Sequence, residues 1–279
     1  MQPEEYRQFS YEVAEAIAPT WERRRAQIEE VAAPVRESMV RMLAPQPGDT
    51  VLELAAGAGD TGFDAAALLG EGGRLISTDF SQAMLEAARR RGAELGLLNV
   101  DYRVIDAERI ELDSDSVDGV LCRYGYMLMP DPATALAETR RVLRPGGRLA
   151  LAVWGAPERN PFFAIIGMNL VQRGKLPPPE PEAPGIFSMA SEQRTTGLLE
   201  GAGFTEVRTE EVPARFAFTD VDEYLSFVGD TAGPIAMVLR EFSEEERESI
   251  KAQLEEAFAP FSTDGGYELP GVSLAAVAS

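Results

Sequence analysis

Short apolar runs, three of them carrying an acid at or near the end, recur through the first half of the chain. They are Val51-Leu52-Glu53-Leu54, Gly73 to Phe80 with Asp79, Val100 to Ala107 with Asp106, and Val117 to Cys122. A fifth run follows Leu143-Arg144-Pro145-Gly146-Gly147-Arg148-Leu149. Runs of this length bounded by turn residues predict strands buried on both faces. Helical spacing appears between them: Ser81 is placed to cap a helix carrying Met84, Leu85 and Ala88, and Asp131 to cap another with Pro132 at its first position. Five strands in βα alternation predict a parallel, doubly wound sheet with helices on both faces.

The flanks read differently. Residues 1–44 are amphipathic and helical, with Pro19 expected to break one helix and Thr20 to cap the next, and Pro45 to Asp49 turn into the first strand. After Trp154 comes a proline-rich loop, Leu176 to Pro181, then a helix from Ser191 to Gly201 and β segments Phe204–Val212 and Ala214–Phe218. Residues 220–261 are largely helical. Thr219 or Asp220 starts one helix, Ser243-Glu244-Glu245-Glu246 is a capping box for another, and Val272–Ala278 reads as a last strand. The division expected is a helical segment over 1–44, a ligand-binding core over 45–155, and the rest of the sheet over 156–279 with a helical insertion at about 220–262.

The first strand runs into Ala55-Ala56-Gly57-Ala58-Gly59-Asp60-Thr61-Gly62. Glycines there allow close backbone approach and positive φ, as an α/β domain needs where its first strand opens a nucleotide site. Gly57, Gly59 and Gly62 also satisfy the dinucleotide pattern G-x-G-x-x-G, which alone is weak. Charge separates the two ligands. A pyrophosphate would sit against the next helix beside Glu53 and Asp60, and each carboxylate would oppose it by about 1 kcal/mol or more at intermediate dielectric. S-adenosylmethionine, with an ammonium and a sulfonium, would be attracted. Asp79 lies about 20 residues past the glycines, where a carboxylate can accept both ribose hydroxyls; the lesser alternative is a simple helix-capping acid. Phe80 and Met84 are candidates to cover the adenine, and Asp106 with Ala107 to meet its amino edge.

These residues, with Asp118-Gly119-Val120-Leu121-Cys122-Arg123-Tyr124 and Leu143 to Leu149, resemble the class I S-adenosylmethionine-dependent methyltransferases. The resemblance is to the broad group that includes the ubiquinone/menaquinone C-methyltransferases and many small-molecule methyltransferases. The resemblance covers roughly residues 45–155. It implies a Rossmann-like sheet of seven strands, mostly parallel with the last antiparallel, and cofactor contacts at Glu53, Ala55, Gly57, Gly59, Asp79, Phe80, Met84, Asp106, Ala107 and Cys122. It also implies that the amino-terminal helices, with Tyr6, Phe9, Tyr11 and Trp21, pack over the cofactor cleft. Ala55-Ala56 stand where relatives often carry Gly or Cys.

Composition narrows the chemistry. The 279 residues carry a formal net charge of −20, which argues against sequence-independent nucleic-acid binding. Arg23-Arg24-Arg25 and Arg89-Arg90-Arg91 read as solvated helix faces. One cysteine, Cys122, precludes an internal disulfide or an iron–sulfur site built on three cysteines, and the absence of histidine precludes a histidine metal site or triad. No metal is expected. No signal-like segment or membrane span is legible, so cytoplasmic residence is the expectation, and a homo-oligomer stays open.

Methyl transfer is an in-line displacement in which protein groups orient the reactants and exclude water. A triad is therefore not required. Arg123, Tyr124 and Tyr126, at the end of the fourth strand, are the candidates for any acid–base role. Trp21, Tyr124, Met127, Trp154, Phe162 and Phe163 are the candidates for an apolar acceptor pocket, each of which could instead be core. The expected function is methylation of a small, lipophilic or aromatic acceptor. The alternatives are an NAD-dependent oxidoreductase and a non-catalytic S-adenosylmethionine-binding regulator.

Overall fold

A computed structural model of the chain describes residues 2–180 and 183–279. Pro181, the end of the proline-rich run, lies outside the described residues. Two helices open the chain, α1 (Pro3–Arg23) and α2 (Arg25–Leu43). Pro19 does not break α1. It lies on the exposed side, where water can take the carbonyl left without its N–H partner, and the helix runs on to Arg23. The break falls at Arg24 (φ −89°, ψ 5°), and α2 carries its own internal proline, Pro34. Thr20 caps nothing; its hydroxyl donates to the carbonyls of Ile17 (2.7 Å) and Asp230.

The sheet is built on β1 (Thr50–Glu53), β2 (Arg74–Asp79), β3 (Val100–Val104), β4 (Val117–Arg123) and β5 (Leu143–Trp154), which run parallel to one another. Helix α3 (Asp60–Ala66) joins β1 to β2, α4 (Gln82–Glu94) joins β2 to β3, and α5 (Pro132–Val142) joins β4 to β5. The predicted alternation fails once. Residues 105–116, between β3 and β4, form no helix, only a turn closed by a bridge from Asp106 to Arg109. Further helices α6 (Pro161–Gln172) and α7 (Glu192–Gly201) precede β6 (Arg208–Phe218). Then come α8 (Val221–Thr231), α9 (Pro234–Arg240), α10 (Glu244–Phe258), the two-residue β7 (Ser262–Thr263) and β8 (Gly266–Ala278).

The strand order is β3-β2-β1-β4-β5-β8-β6, with β7 paired to β8 alone and β8 antiparallel to β5, β6 and β7. Seven long strands with the last reversed match the expected sheet, and β7 is an addition to it. The two β segments predicted around Pro213 are one continuous strand. Proline is tolerated because β6 is the sheet edge, where one side of the backbone needs no partner. The capping expectations at Ser81, Asp131, Asp220 and Ser243 hold, each side chain accepting the N–H three residues on.

Strand direction of travel reverses between β1 and β4. Crossovers from β1 move one way and place α3 and α4 on one face; α5 moves the other way and covers the opposite face. The period of two along β1 sends Leu52 and Leu54 to the α5 side, and Val51 and Glu53 to the α3 side. Val51, Leu52 and Leu54 are all fully buried. Each contributes about 1.5–3 kcal/mol by burial, so β1 is fixed between two cores and its carboxyl end is a rigid platform.

Candidate functional site

The reversal point puts Ala55, at the end of β1, beside Tyr124-Gly125 at the end of β4; a Cβ on Gly125 would lie 2.7 Å from that of Ala55. Ligands of open α/β sheets bind at this kind of crevice. Two residues with side chains hold positive φ here, Ala55 (50°) and Tyr124 (60°), a conformation kept only where the surroundings impose it. Gly57 (54°) and Gly59 (94°) carry the glycine loop from there to α3.

The acids around this loop divide into two kinds. Glu53 is an exception to the expectation that it faces the ligand. It is buried, with Oε1 accepting from the Gly62 N–H (2.7 Å) and Oε2 from the Ser77 hydroxyl (3.0 Å). Burial pushes its carboxyl up to about 8, against those hydrogen bonds and the attraction of Arg123. At neutral pH it is mostly uncharged, so it does not repel a diphosphate, and that part of the charge argument falls away. Asp79 stands where expected, at the end of β2. Its oxygens accept from the N–H groups of Gly57 and Ser81, both at 2.9 Å, and burial raises it to about 6. Each oxygen keeps a second lone pair for a ribose hydroxyl. Asp106 is exposed beyond β3, accepts from the Glu108 N–H (2.9 Å) and lies 3.8 Å from Arg7 of α1, with Ala107 buried beside it.

Helix α1 crosses all three strand ends. Arg7 pairs with Glu108 beside Asp106; Glu15 accepts from the Ser81 hydroxyl (2.7 Å) and the Ala83 N–H (3.1 Å) at the start of α4. The Trp21 ring lies over Gly57, 3.6 Å from where a Cβ would stand, and its indole N–H donates to the Thr231 carbonyl at the end of α8 (3.0 Å). Phe80 and Met84, expected at the adenine, are covered by this helix: Phe80 meets Tyr11 edge-on at 6.1 Å, and Met84 packs with Val13, Ile17 and Ala18. What remains open beside the loop is a cavity of about 10 Å³, lined by Trp21, Arg25, Ile28, Glu29, Ala58, Asp60 and Arg123. That is room for one water at most.

The acceptor-side candidates split. Tyr124 stacks on Trp154 (4.4 Å, 8°), Trp154 meets Phe163 (5.0 Å), and the Arg123 guanidinium lies 5.5 Å over the Tyr124 ring, so these four form one wall. Phe162 is not part of it. It is 1% exposed and stacks on Phe216 (3.9 Å), because the apolar side of α6 turns it into the core. Met127 is buried too, and its carbonyl accepts from Gly185 and Ser188. Cys122 is fully buried with its thiol pushed up to about 12, so its side chain is core. Tyr126 is likewise buried, bonded to Thr139 (2.6 Å) and raised well above its usual range, so its hydroxyl is turned into the core.

Tyr124 shares a 2.6 Å hydrogen bond with Ser273, and burial raises its hydroxyl to about 12, so it keeps its proton at neutral pH. Tyr124→Phe is therefore expected to retain turnover within about threefold, while losing roughly 1–2 kcal/mol of stability through the stranded Ser273 hydroxyl. A loss of turnover of about a hundredfold or more, some 2.7 kcal/mol of barrier, would make Tyr124 the base after all.

Three contributors were not legible in the sequence: Glu15, Arg25 and Ser77. The triple arginine at 23–25 reads as solvated, yet Arg24 pairs with Asp230 (2.7 Å) and Arg25 Nη1 is buried. No local pattern marks them, since the groups they meet are distant in sequence: Ser81 and Ala83 for Glu15, Glu53 for Ser77, and the cavity wall with Asp60 and Arg123 for Arg25. A roomier cavity, about 310 Å³, lies elsewhere, at the β6 edge. Its carboxylates are already engaged: Glu192 with Thr209, Glu210 with Arg41, Glu211 with Arg159.

The chain matches the ubiE/COQ5 methyltransferase family over residues 32–163. It is 36% identical over 169 residues to a ubiquinone/menaquinone biosynthesis C-methyltransferase, UbiE, of Pseudoalteromonas translucida, covering 57% of this chain and 67% of that one. The UbiE of Teredinibacter turnerae is 29% identical over 173 residues, 58% and 70% of the two chains. Among solved structures, the YcgJ protein of Bacillus subtilis superposes with a TM-score of 0.58 over 87% of this chain and 96% of its own, at 20% identity, a likeness of fold.

Proposed function

The chain belongs to the ubiE/COQ5 methyltransferase family and is an S-adenosylmethionine-dependent methyltransferase; from that premise we infer that its acceptor is a small, lipophilic ring compound of the quinone or phenol class. The wall of Tyr124, Trp154 and Phe163 at the carboxyl ends of β4 and β5 carries this reading, since flat apolar rings stack on flat apolar rings. The named activity of the UbiE relatives points the same way. A formal charge of −20 supports a small molecule over a nucleic acid. Cytoplasmic residence belongs to the same reading. Among the described residues no helix is long and apolar enough to cross a membrane.

The residues fit the cofactor: the backbone at Gly57 carries no Cβ beneath the Trp21 ring, and Asp79 at the end of β2 keeps free lone pairs. Bound there, S-adenosylmethionine supplies the activated methyl group and its own leaving group. Gly57 and Gly59 let the backbone approach, Asp79 accepts from the ribose, and Asp106 with Ala107 borders the adenine. Tyr124 and Trp154 orient the acceptor ring. With Tyr124 holding its proton and no histidine in the chain, the pocket orients rather than deprotonates, which favours an acceptor acidic enough to arrive ionised. Residues 1–44 close the cofactor side and the insertion at about 220–262 closes the acceptor side, leaving 45–155 as the cofactor-binding half.

Incubating the protein with S-adenosylmethionine and a panel of quinols, phenols, amines and carboxylic acids tests the acceptor class. Mass gain on the ring compounds alone is the expected result, and methylation confined to hydrophilic amines or acids would overturn it. For the cofactor site, Asp79→Asn is expected to weaken S-adenosylhomocysteine binding roughly 10–100-fold, the loss of a charge-assisted bond worth about 1–3 kcal/mol. Binding favours the ionised carboxylate, so affinity of the parent falls as pH drops through about 6. The variant should lack that dependence. Calorimetry across pH 5–7.5 decides, and equal affinities would remove Asp79 from the site.

A further inference from the structure

The sheet has two edges, and they are finished differently. At one, β6 carries Pro213 in mid-strand, which takes a donor off the edge. At the other, β3 reads Val100-Asp101-Tyr102-Arg103-Val104, with no proline and no break in its register against β2. Its inward backbone groups belong to the odd positions: Asn99 accepts from the Leu75 N–H (2.9 Å), and the Ile105 N–H donates to Asp79 (3.1 Å). The period of two then turns the N–H and C=O of Val100, Tyr102 and Val104 outward, away from β2. Val100 and Tyr102 point their side chains to the α4 side, and Asp101 and Arg103 theirs to the other. That other face is thinly covered, because residues 105–116 supply no helix between β3 and β4. Asp101 and Arg103 are half-exposed there, with Arg103 Nε donating to Asp101 (2.8 Å).

We propose that β3 is a self-pairing edge, joining two copies of this chain antiparallel about a two-fold axis at Tyr102. The strand is its own complement. Turned about Tyr102, Val100 faces the partner's Val104, and Asp101 faces the partner's Arg103, in both directions. The outward backbone groups fit that register. Tyr102 against the partner's Tyr102, and Val100 against the partner's Val104, are the pairs that exchange N–H···O=C bonds. Asp101 and Arg103 fall at the intervening pairs, where opposed Cα atoms approach to about 4.5 Å and side chains meet most closely. The ion pair closed within one strand thereby crosses to the other copy. Arg89 stands on the opposite face, over the Tyr102 ring (5.4 Å), and Asp106, past the strand end, already has Arg7 beside it (3.8 Å). Apolar surface lies at matching places. Val104 is exposed, and Leu98, 98% exposed and two residues before Val100, falls diagonal to the partner's Val104. Net charge favours this edge over other surfaces: at −20, copies repel unless they meet where opposite signs alternate. Because the joined strands run antiparallel, the two ligand crevices open at opposite ends of one continuous sheet.

Sedimentation equilibrium of the full chain over a range of concentrations tests this. The parent is expected to fit a monomer–dimer equilibrium. Asp101→Arg and Arg103→Asp each set like charges across the axis and should weaken the dimer by about tenfold or more. Val104→Pro should do the same, since it removes an outward N–H as Pro213 does on β6. The charge-swapped double variant, Asp101→Arg with Arg103→Asp, should dimerise as the parent does. Mixing the two single charge variants should produce a heterodimer, because a strand with two arginines then faces one with two aspartates. That result separates pairing between copies from the ion pair within one strand. A parent that stays monomeric at the highest concentration overturns the proposal. So does a dimer of unchanged strength in both charge variants, each folded by circular dichroism, since the contact then lies on another surface. A mixture of the two charge variants that stays unpaired overturns it as well.

Discussion

Gly62→Ala is expected to destabilise the fold by about 3 kcal/mol or more, through overpacking and the loss of two buried hydrogen bonds. A Cβ at this position would run into Glu53 Oε2, and would stand 2.7 Å from Glu53 Cδ and 2.9 Å from Leu75 Cδ2. The carboxyl cannot simply step aside. One oxygen is held by the Gly62 N–H and the other by Ser77, in an interior where the residue is 2% exposed. In a chain of this size the loss corresponds to a fall in Tm of roughly 6–10 °C. Adding Glu53→Ala to Gly62→Ala should recover part of the loss, because the colliding group is gone. Scanning calorimetry on the two variants checks both statements; a Gly62→Ala protein melting within about 2 °C of the parent would mean that α3 and β1 are not clamped through this carboxyl.

The second large effect is a dependence of stability on pH set by the same residue. Glu53 is raised from its usual 4.5 to about 8, chiefly by burial, so between those values the folded protein holds a proton that the unfolded chain releases. Stability from this group is complete below about 4.5, declines as pH rises through the interval, and levels off above about 8. At about 1.4 kcal/mol per pH unit the whole interval amounts to about 3–5 kcal/mol. Asp79, raised from 3.8 to about 6, adds a decline of the same sign that is nearly complete by about pH 7, so the upper part of the range belongs to Glu53. Glu53→Gln keeps a carbonyl for Gly62 and an amide for Ser77 but cannot ionise. It is expected to flatten the decline between pH 6 and 8 and to melt higher than the parent at pH 8. Parallel melting curves for the two proteins across that range would show that the carboxyl titrates in the folded state no differently from a solvated one.

Much of the sheet was legible because its strands are buried on both sides and therefore appear as unbroken apolar runs, and because caps such as Asp131 and Ser243 act over three residues. The glycine loop was legible too, but the role of its third glycine was not. Gly62 fits the dinucleotide pattern, yet what its missing Cβ makes room for is the carboxyl of Glu53, nine residues earlier and on another element. Pro19 misled because a proline rule concerns the helix alone, and the exposed side of α1 removes most of its cost. Phe162, Tyr126 and Cys122 were indistinguishable from pocket residues because apolar character says nothing of which way a side chain turns. Arg25 escaped for the complementary reason: an arginine among arginines reads as solvated unless the surface that buries it is known.

Helix α1 touches the ends of β1, β2 and β3 through Trp21, Glu15 and Arg7, and the cavity that Trp21 borders beside the glycine loop holds only about 10 Å³. Entry of a ligand beside the glycine loop thus requires Trp21 to release, with Arg24 as the point where the backbone already departs from helix. Association then runs at the frequency of that release rather than of molecular collision, and departure of the spent molecule must wait for the same event.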